Sequence, residues 1–281
     1  MNMESKALNI PHTIEAQKVM PGIRSKRPLS ERIIEGVIKT CGMSSIVFIA
    51  AILLFILKES WGFIVGPNFK FLEFFTSGNW LPASVHSIQY GTLSLLVGTL
   101  SVTLVSMAIA VPIGLACAFY ISEFCPPRLR ETYKILIEFL AAIPSVVWGF
   151  VAVVIINPMM ISSMDVATGL NIMNAAVILA LMSLPLIVSI GEDALRAVPE
   201  SYREAAEGMG ATKWEIATRV LLPAAKNGLL AAALLGVGRA LGETMAVLMA
   251  TGHSVRFPNS VFDPVRTLTA TIAAELGESP K

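Results

Sequence analysis

The sequence predicts an all-α protein, a polytopic bundle of transmembrane helices, and three observations carry that prediction. Only 15% of its 281 residues are charged while 54% are hydrophobic, whereas soluble domains carry about a quarter charged residues. The charges are missing in long blocks rather than thinned evenly. Lys and Arg also alternate in density from one connection to the next, as membrane topology requires.

The uncharged blocks place the spans. Lys39 and Lys58 enclose 18 uncharged residues, Glu73 and Glu123 enclose 49, and the intervals Glu138–Asp165 and Asp165–Glu192 enclose 26 each. A helix needs about 20 apolar residues to cross a hydrocarbon core of roughly 30 Å, and a helix satisfies its own backbone there. Short alternating segments, the signature of barrel strands, are not the pattern. Spans are therefore expected at about 37–57, 91–121, 135–157, 172–191 and 227–252. The fifth is interrupted by Arg239 and Glu243, and Pro112, Pro144 and Pro185 fall inside predicted spans. Neighbouring helices can satisfy the carbonyls such prolines free.

Basic residues number 7, 2, 3, 0 and 5 from the N-terminal arm through the successive connections. The positive-inside rule then makes the N-terminus and the 192–226 loop cytoplasmic, with the residues beyond Gly252 outside. Residues 1–36 read as a polar cytoplasmic arm. They lack the apolar core of a cleavable signal.

Several function classes are disfavoured. A formal net charge of +1, from 21 basic and 20 acidic residues, gives no reason to expect nucleic acid as a partner. Cys41, Cys117 and Cys125 lack metal-ligand spacing and His12, His86 and His253 are scattered, so no metal site is expected. No G-x-x-x-x-G-K-[ST] loop for ATP phosphates and no nucleophile–base constellation can be placed. The chain by itself is expected to hydrolyse nothing and to hold no cofactor.

The 192–226 loop is unusually patterned. PESYREAAEGMG reads as a short helix with a Pro start and a Gly stop. Thr212 and Glu215 have capping-box spacing and open a second short helix, ATKWEIATRVLLP. Two amphipathic helices joined by a glycine turn make either a cytoplasmic knob or a hairpin lying on the membrane. Five basic and six acidic groups argue against an anchor for anionic lipid.

Arg239 and Glu243 lie one helical turn apart on one face, so the two are expected to pair. An Arg inside a span costs roughly 2.5–3.5 kcal/mol on insertion scales and usually faces a cavity or a partner. The pair is either a packing device or an anion-handling site; Gly236, Gly238, Ala240 and Gly242 around it fit close helix packing too. Glu138, about one turn into the third predicted span, together with Pro144 is read as a gate or a packing feature, snorkelling being the plainer account of Glu138. Trp61, Trp80 and Trp148 are read as interface or packing residues.

Glu204-Ala205-Ala206, then Gly210, Val220 and Leu222-Pro223 resemble the EAA motif, EAA-x3-G-x9-[IV]-x-LP, of binding-protein-dependent ABC importer permeases, with every anchor filled. The resemblance implies the type I ABC-importer (MetI-like) permease fold over 37–281. It implies that Glu204, Ala205, Ala206, Gly210, Leu222 and Pro223 couple the chain to a cytoplasmic ATPase. GVGRALGETMAVLMATG (236–252), with IEFLAAIPSVVWGF, YISEFCPPRLRE and PVRTLTATIAAELGE, is similar to the C-type subunit of the phosphate-specific (Pst) permeases.

That resemblance implies inner-membrane phosphate transport with Arg239 and Glu243 on the substrate pathway. Its partners would be a homologous A-type permease, two ATPase subunits that bind ATP and Mg, an extracytoplasmic phosphate-binding protein and the lipid bilayer. C-type permeases carry a further C-terminal span, so a truncated chain is the expectation at Lys281. Two other readings stay open. One is a permease for another oxyanion, sulfate or molybdate, since the EAA motif is silent on cargo. The other is an ion-coupled secondary carrier built on Arg239 and Glu243.

Overall fold

A computed structural model describes residues 29–66, 69–82 and 88–276. Residues 1–28 of the expected arm, with His12, and residue His86 lie outside them. The chain divides into two units, residues 1–69 and 70–281.

The described part of the first unit is one long helix, α1 (Leu29–Ile64). It contains a candidate span, Ser30–Ile64, whose most apolar stretch has no buried residue. Ile46, Phe48, Leu54 and Phe55 all point outward. The helix begins inside the arm predicted for 1–36, because Leu29–Gly36 carries helix-compatible residues with no Pro or Gly before Gly36.

The second unit opens with α2 (Phe71–Thr76) and a small hairpin, β1 (Trp80–Leu81) and β2 (Gln89–Tyr90), paired antiparallel with Trp80 opposite Tyr90. α3 (Leu93–Phe119) then runs through Pro112 and ends in a π-helical turn, Tyr120–Phe124. α4 (Pro127–Ala142) is followed by α5 (Ser145–Val151), a π-turn at Ala152–Ile156 and α6 (Asn157–Met164), which together form one candidate span. α7 (Ile172–Arg196) is the next span. α8 (Glu200–Gly208) precedes α9 (Lys213–Glu215), a π-turn at Ile216–Leu221 and α10 (Leu222–Leu241). α11 (Met245–Ala250) and α12 (Leu268–Glu275) complete the described chain.

Three boundaries differ from the sequence expectation, each for a local reason. The third span does not begin near 135. Pro144 forces Ile143 into extended backbone (φ −67°, ψ 123°) and separates α4 from α5, so the span runs Ser145–Met164. The fifth span starts earlier, at Lys213, and stops at Leu241, where Gly242 ends the helix. The segment ATKWEIATRVLLP is therefore not a separate helix but the first part of that span. Pro223 lies inside that continuous helix, just after its π-turn, where the regular i→i−4 ladder is already interrupted.

α7 is the core of the second unit, with 67% of its most apolar window buried against 39% for α3 and 28% for the fifth span. Small residues let its neighbours approach. A Cβ on Gly114 of α3 would lie 2.7 Å from Ile187 Cγ2, and one on Gly236 of α10 would lie 2.7 Å from Ile187 Cδ1. Higher up the same pair, a Cβ on Gly228 would meet that of Ala194 at 2.5 Å. In lipid, where apolar burial gives no extra drive, such contact supplies the helix association energy.

The N-terminus of α7 is tied down by hydrogen bonds. Asn171 Oδ1 accepts from the backbone N–H of Asn174 at 3.0 Å, an N-cap. Asn174, fully buried, donates from Nδ2 to the carbonyls of Ala152 (3.1 Å) and Gly169 (2.8 Å). Asn174 thus fastens α7 to the π-turn of the third span, where a carbonyl is displaced from regular α geometry. Asn174→Ala removes both bonds from a buried site and is predicted to lower stability by about 2 kcal/mol. Thermal unfolding of the detergent-purified protein checks this: a melting temperature equal to wild type contradicts it.

Candidate functional site

Arg239 is exposed on α10, two residues from the helix end. Its Nε donates to the carbonyl of Met182 in α7 at 3.3 Å. The terminal guanidinium nitrogens make no hydrogen bond or ion pair among the described residues. A cation near a helix C-terminus is also favoured by the helix dipole. Arg239 therefore has a braced stem and a free fork.

The expected Arg239–Glu243 ion pair does not form. Gly242 breaks the helix between them, so residue 243 no longer continues the face that carries Arg239. Glu243 turns to the next element instead: its Oε1 accepts from the N–H groups of Thr244 (3.1 Å) and Ala246 (3.3 Å), satisfying the start of α11. Its carbonyl accepts from the Thr269 hydroxyl of α12 at 2.7 Å. Glu243 is an anchor of the helix break, half-buried beside a small cavity shared with Thr103, Leu179 and Val247.

The EAA residues are brought together at the far end of α10. On α8, Glu204 and Ala205 are exposed while Ala206 is 3% exposed and packs with Leu195, Val198, Ile216 and Leu221. Gly210 has φ +81°, a left-handed turn that glycine adopts without strain. Thr212 and Glu215 then form the reciprocal cap their spacing predicts, with Thr212 N–H donating to Glu215 Oε2 at 3.0 Å and Glu215 N–H to Thr212 Oγ1 at 3.3 Å. Leu222 is half-buried and Pro223 exposed. Glu204, Tyr202, Met209 and Trp214 are exposed around the loop, the last three by 53%, 84% and 61%, with Tyr202 and Glu204 on opposite sides of α8. Acidic and large apolar groups beside small ones make a surface suited to a protein partner.

Glu138 and Pro144 fall outside this arrangement. Glu138 is exposed on α4, ahead of the third span rather than within it, and Pro144 is the break described above. Among the described residues no cluster of His, Cys, Asp or Glu could hold a metal ion.

Sequence reasoning missed three clusters of charge contacts. Glu192, 2% exposed at the end of α7, pairs with Lys134 of α4 at 2.7 Å and Arg196 at 3.3 Å. Arg203 of α8 pairs with Glu123 at 2.7 Å and Glu200 at 3.1 Å. Burial opposes the Arg203 charge, but hydrogen bonding and proximity to Glu123 and Glu200 outweigh it and raise its pKa above the ordinary arginine value. At the other end of the unit Glu275 binds Arg266 at 2.7 Å and the Trp80 indole at 2.9 Å. Glu123 and Glu192 each close an uncharged block, which was the available signal; their partners are set by tertiary contact.

Comparison with known proteins follows the same outline. The family described as "Binding-protein-dependent transport system inner membrane component" matches residues 110–262. The chain is 32% identical to "Phosphate transport system permease protein PstC" of Mesorhizobium japonicum, over 94% of this chain and 86% of that protein. It is 35% identical to the PstC protein of Haemophilus influenzae, over 91% and 87%. It is also 35% identical to "Probable ABC transporter permease protein YqgH" of Bacillus subtilis, over 91% and 82%. Among solved structures it resembles an inward-facing MetNI methionine ABC transporter, with TM-score 0.51 and 25% identity over 66% of this chain and 82% of that one. The fold is thus that of type I ABC-importer permeases, and the protein is a multi-pass inner-membrane component. The chain belongs to the family of binding-protein-dependent transport-system inner membrane components, within which it is a relative of the PstC permeases.

Proposed function

We propose that this chain is the transmembrane permease subunit that carries inorganic phosphate inward across the inner membrane, driven by ATP hydrolysed on a separate subunit. The observation that carries the cargo reading is Arg239, a guanidinium braced through Nε and open at its fork, beside the break between α10 and α11. A guanidinium offers two parallel N–H donors to two oxygens of one phosphate. Discontinuous helices are where transporters commonly build substrate sites. The names of the relatives in Mesorhizobium and Haemophilus support phosphate over other oxyanions.

Arg239 would meet the ion in passage, and Glu243 would keep the break, and so the guanidinium, in place. The carboxylate also puts a negative charge near the pathway, which weakens retention of an anion there. The exposed face with Glu204 would dock on an ATPase that binds ATP and Mg, one of two copies. Closure of those copies would draw the loops together and switch access to the pathway. A homologous A-type permease would complete the pathway and an extracytoplasmic phosphate-binding protein would deliver the ion. The density of Lys and Arg supports a cytoplasmic N-terminus and 192–226 loop.

Radiolabelled phosphate uptake in cells lacking their own phosphate permease tests both ends of the molecule. Arg239→Gln is expected to lower uptake by roughly 10- to 100-fold, the equivalent of the charged hydrogen bonds it loses, with assembly unchanged. Wild-type uptake by that variant would remove Arg239 from the pathway, and sulfate uptake in place of phosphate would overturn the cargo. Glu204→Lys reverses a charge on the docking face and is expected to reduce uptake at least about tenfold. Full uptake by an equally inserted Glu204→Lys protein would make the loop dispensable for coupling.

A further inference from the structure

α8 is continuous in sequence with two spans. Ala197–Pro199 joins it to α7, and Met209–Thr212 joins it to the helix leading into α10. Movement of α8 reaches those spans through the backbone. α3 is different, since it lies 80 residues from Arg203 in sequence and must be engaged by side chains.

That engagement is built at the π-turn that ends α3. Arg203 Nη2 donates to Glu123 Oε1 at 2.7 Å, with the two side chains 18% and 13% exposed. The same Glu123 oxygen accepts from the Ser122 hydroxyl at 2.6 Å. Arg130 closes the turn from the other side, donating from Nε to the Ile121 carbonyl (3.0 Å) and from Nη2 to the Ser122 carbonyl (2.7 Å). Trp214 of α9 packs on Phe119 and Phe124, each with ring centroids 6.0 Å away. The turn is therefore held from both sides of the glycine corner at Gly210.

The two attachments differ in what they can transmit. Ring packing resists compression but slides; a short ion pair with fixed donors and acceptors keeps its direction under both push and pull. Arg203 is also the residue immediately before Glu204, so displacement of the docking face acts directly on it. Glu204 and Glu207 make no ion pair among the described residues. The inward-facing side of α8 thus has one charged tether to another span.

We propose that Arg203 and Glu123 form the joint through which α8 moves α3, making them positioning residues for coupling rather than for substrate binding. This rests on the reading of the 192–226 loop as the ATPase contact. The π-turn suits the role, because its wider hydrogen-bond ring (Cys125 N–H to the Tyr120 carbonyl, 3.0 Å) permits a local change of helix direction.

The test uses the whole transporter, this chain with its second permease, ATPase and binding protein, in proteoliposomes, with phosphate accumulated and ATP hydrolysed measured on the same vesicles. Arg203→Gln and Glu123→Gln are each expected to leave hydrolysis within about twofold while phosphate moved per ATP falls about tenfold, and the double variant is expected to be no worse than either single, as for one shared interaction. Arg203→Lys, which keeps the charge but not the fork, is expected to lose only severalfold and guards against a folding defect. Phosphate per ATP at the wild-type level in either single, or losses that multiply in the double, would overturn the joint. A wild type that accumulates phosphate without ATP would overturn the coupling reading, and the joint with it.

Discussion

Ile187 is the point on which the second unit is assembled. Its branched side chain fills the space left by Gly114 of α3 and by Gly236 of α10, so three spans meet at one residue of α7. In a bilayer such contact cannot be replaced by generic apolar burial, since lipid tails are as apolar as leucine. A side chain at either glycine would have to displace the neighbour. The position of α10 against α7, and with it the Arg239 bond to the carbonyl of Met182, five residues before Ile187, follows from this contact.

Polar groups then fix what packing leaves free. Asn171 and Asn174 hold the start of α7 and Glu192 holds its end, through Lys134 of α4. A helix pinned at both ends and packed along its length behaves as a rigid member. The joints between such members are the π-turns at Tyr120–Phe124 and Ile216–Leu221 and the break at Gly242–Thr244, where the regular helical ladder is interrupted. These lie beside the 192–226 loop and beside Arg239. Rigid spans with deformable junctions are what a transporter that alternates access requires.

Much of this was legible in the sequence, because the bilayer makes strong demands on composition. Uncharged blocks located four of the five candidate spans, the fifth being read across Arg239 and Glu243, and the Thr212–Glu215 spacing marked its cap. The 192–226 loop was legible as a patterned segment, with Gly210 at the corner. What composition could not show was where helices stop inside an apolar block. Pro144 ended α4 rather than kinking a span, while Pro112 and Pro185 were absorbed by continuous helices. A one-turn spacing suggested that Arg239 and Glu243 would pair, but the spacing means a shared face only while the helix continues, and Gly242 ends it. Pairs such as Arg203–Glu123 and Lys134–Glu192 were invisible for another reason: they join residues far apart in sequence, and only the packed spans bring them together.

Phosphate as the cargo and ATP as the driving force can be tested together. The most direct measurement is accumulation of radiolabelled phosphate and, separately, sulfate in vesicles bearing the complete transporter, with and without ATP. Concentrative uptake of phosphate that requires ATP, with little uptake of sulfate, is the expected result. Equal accumulation without ATP, or accumulation of sulfate in preference to phosphate, would contradict it.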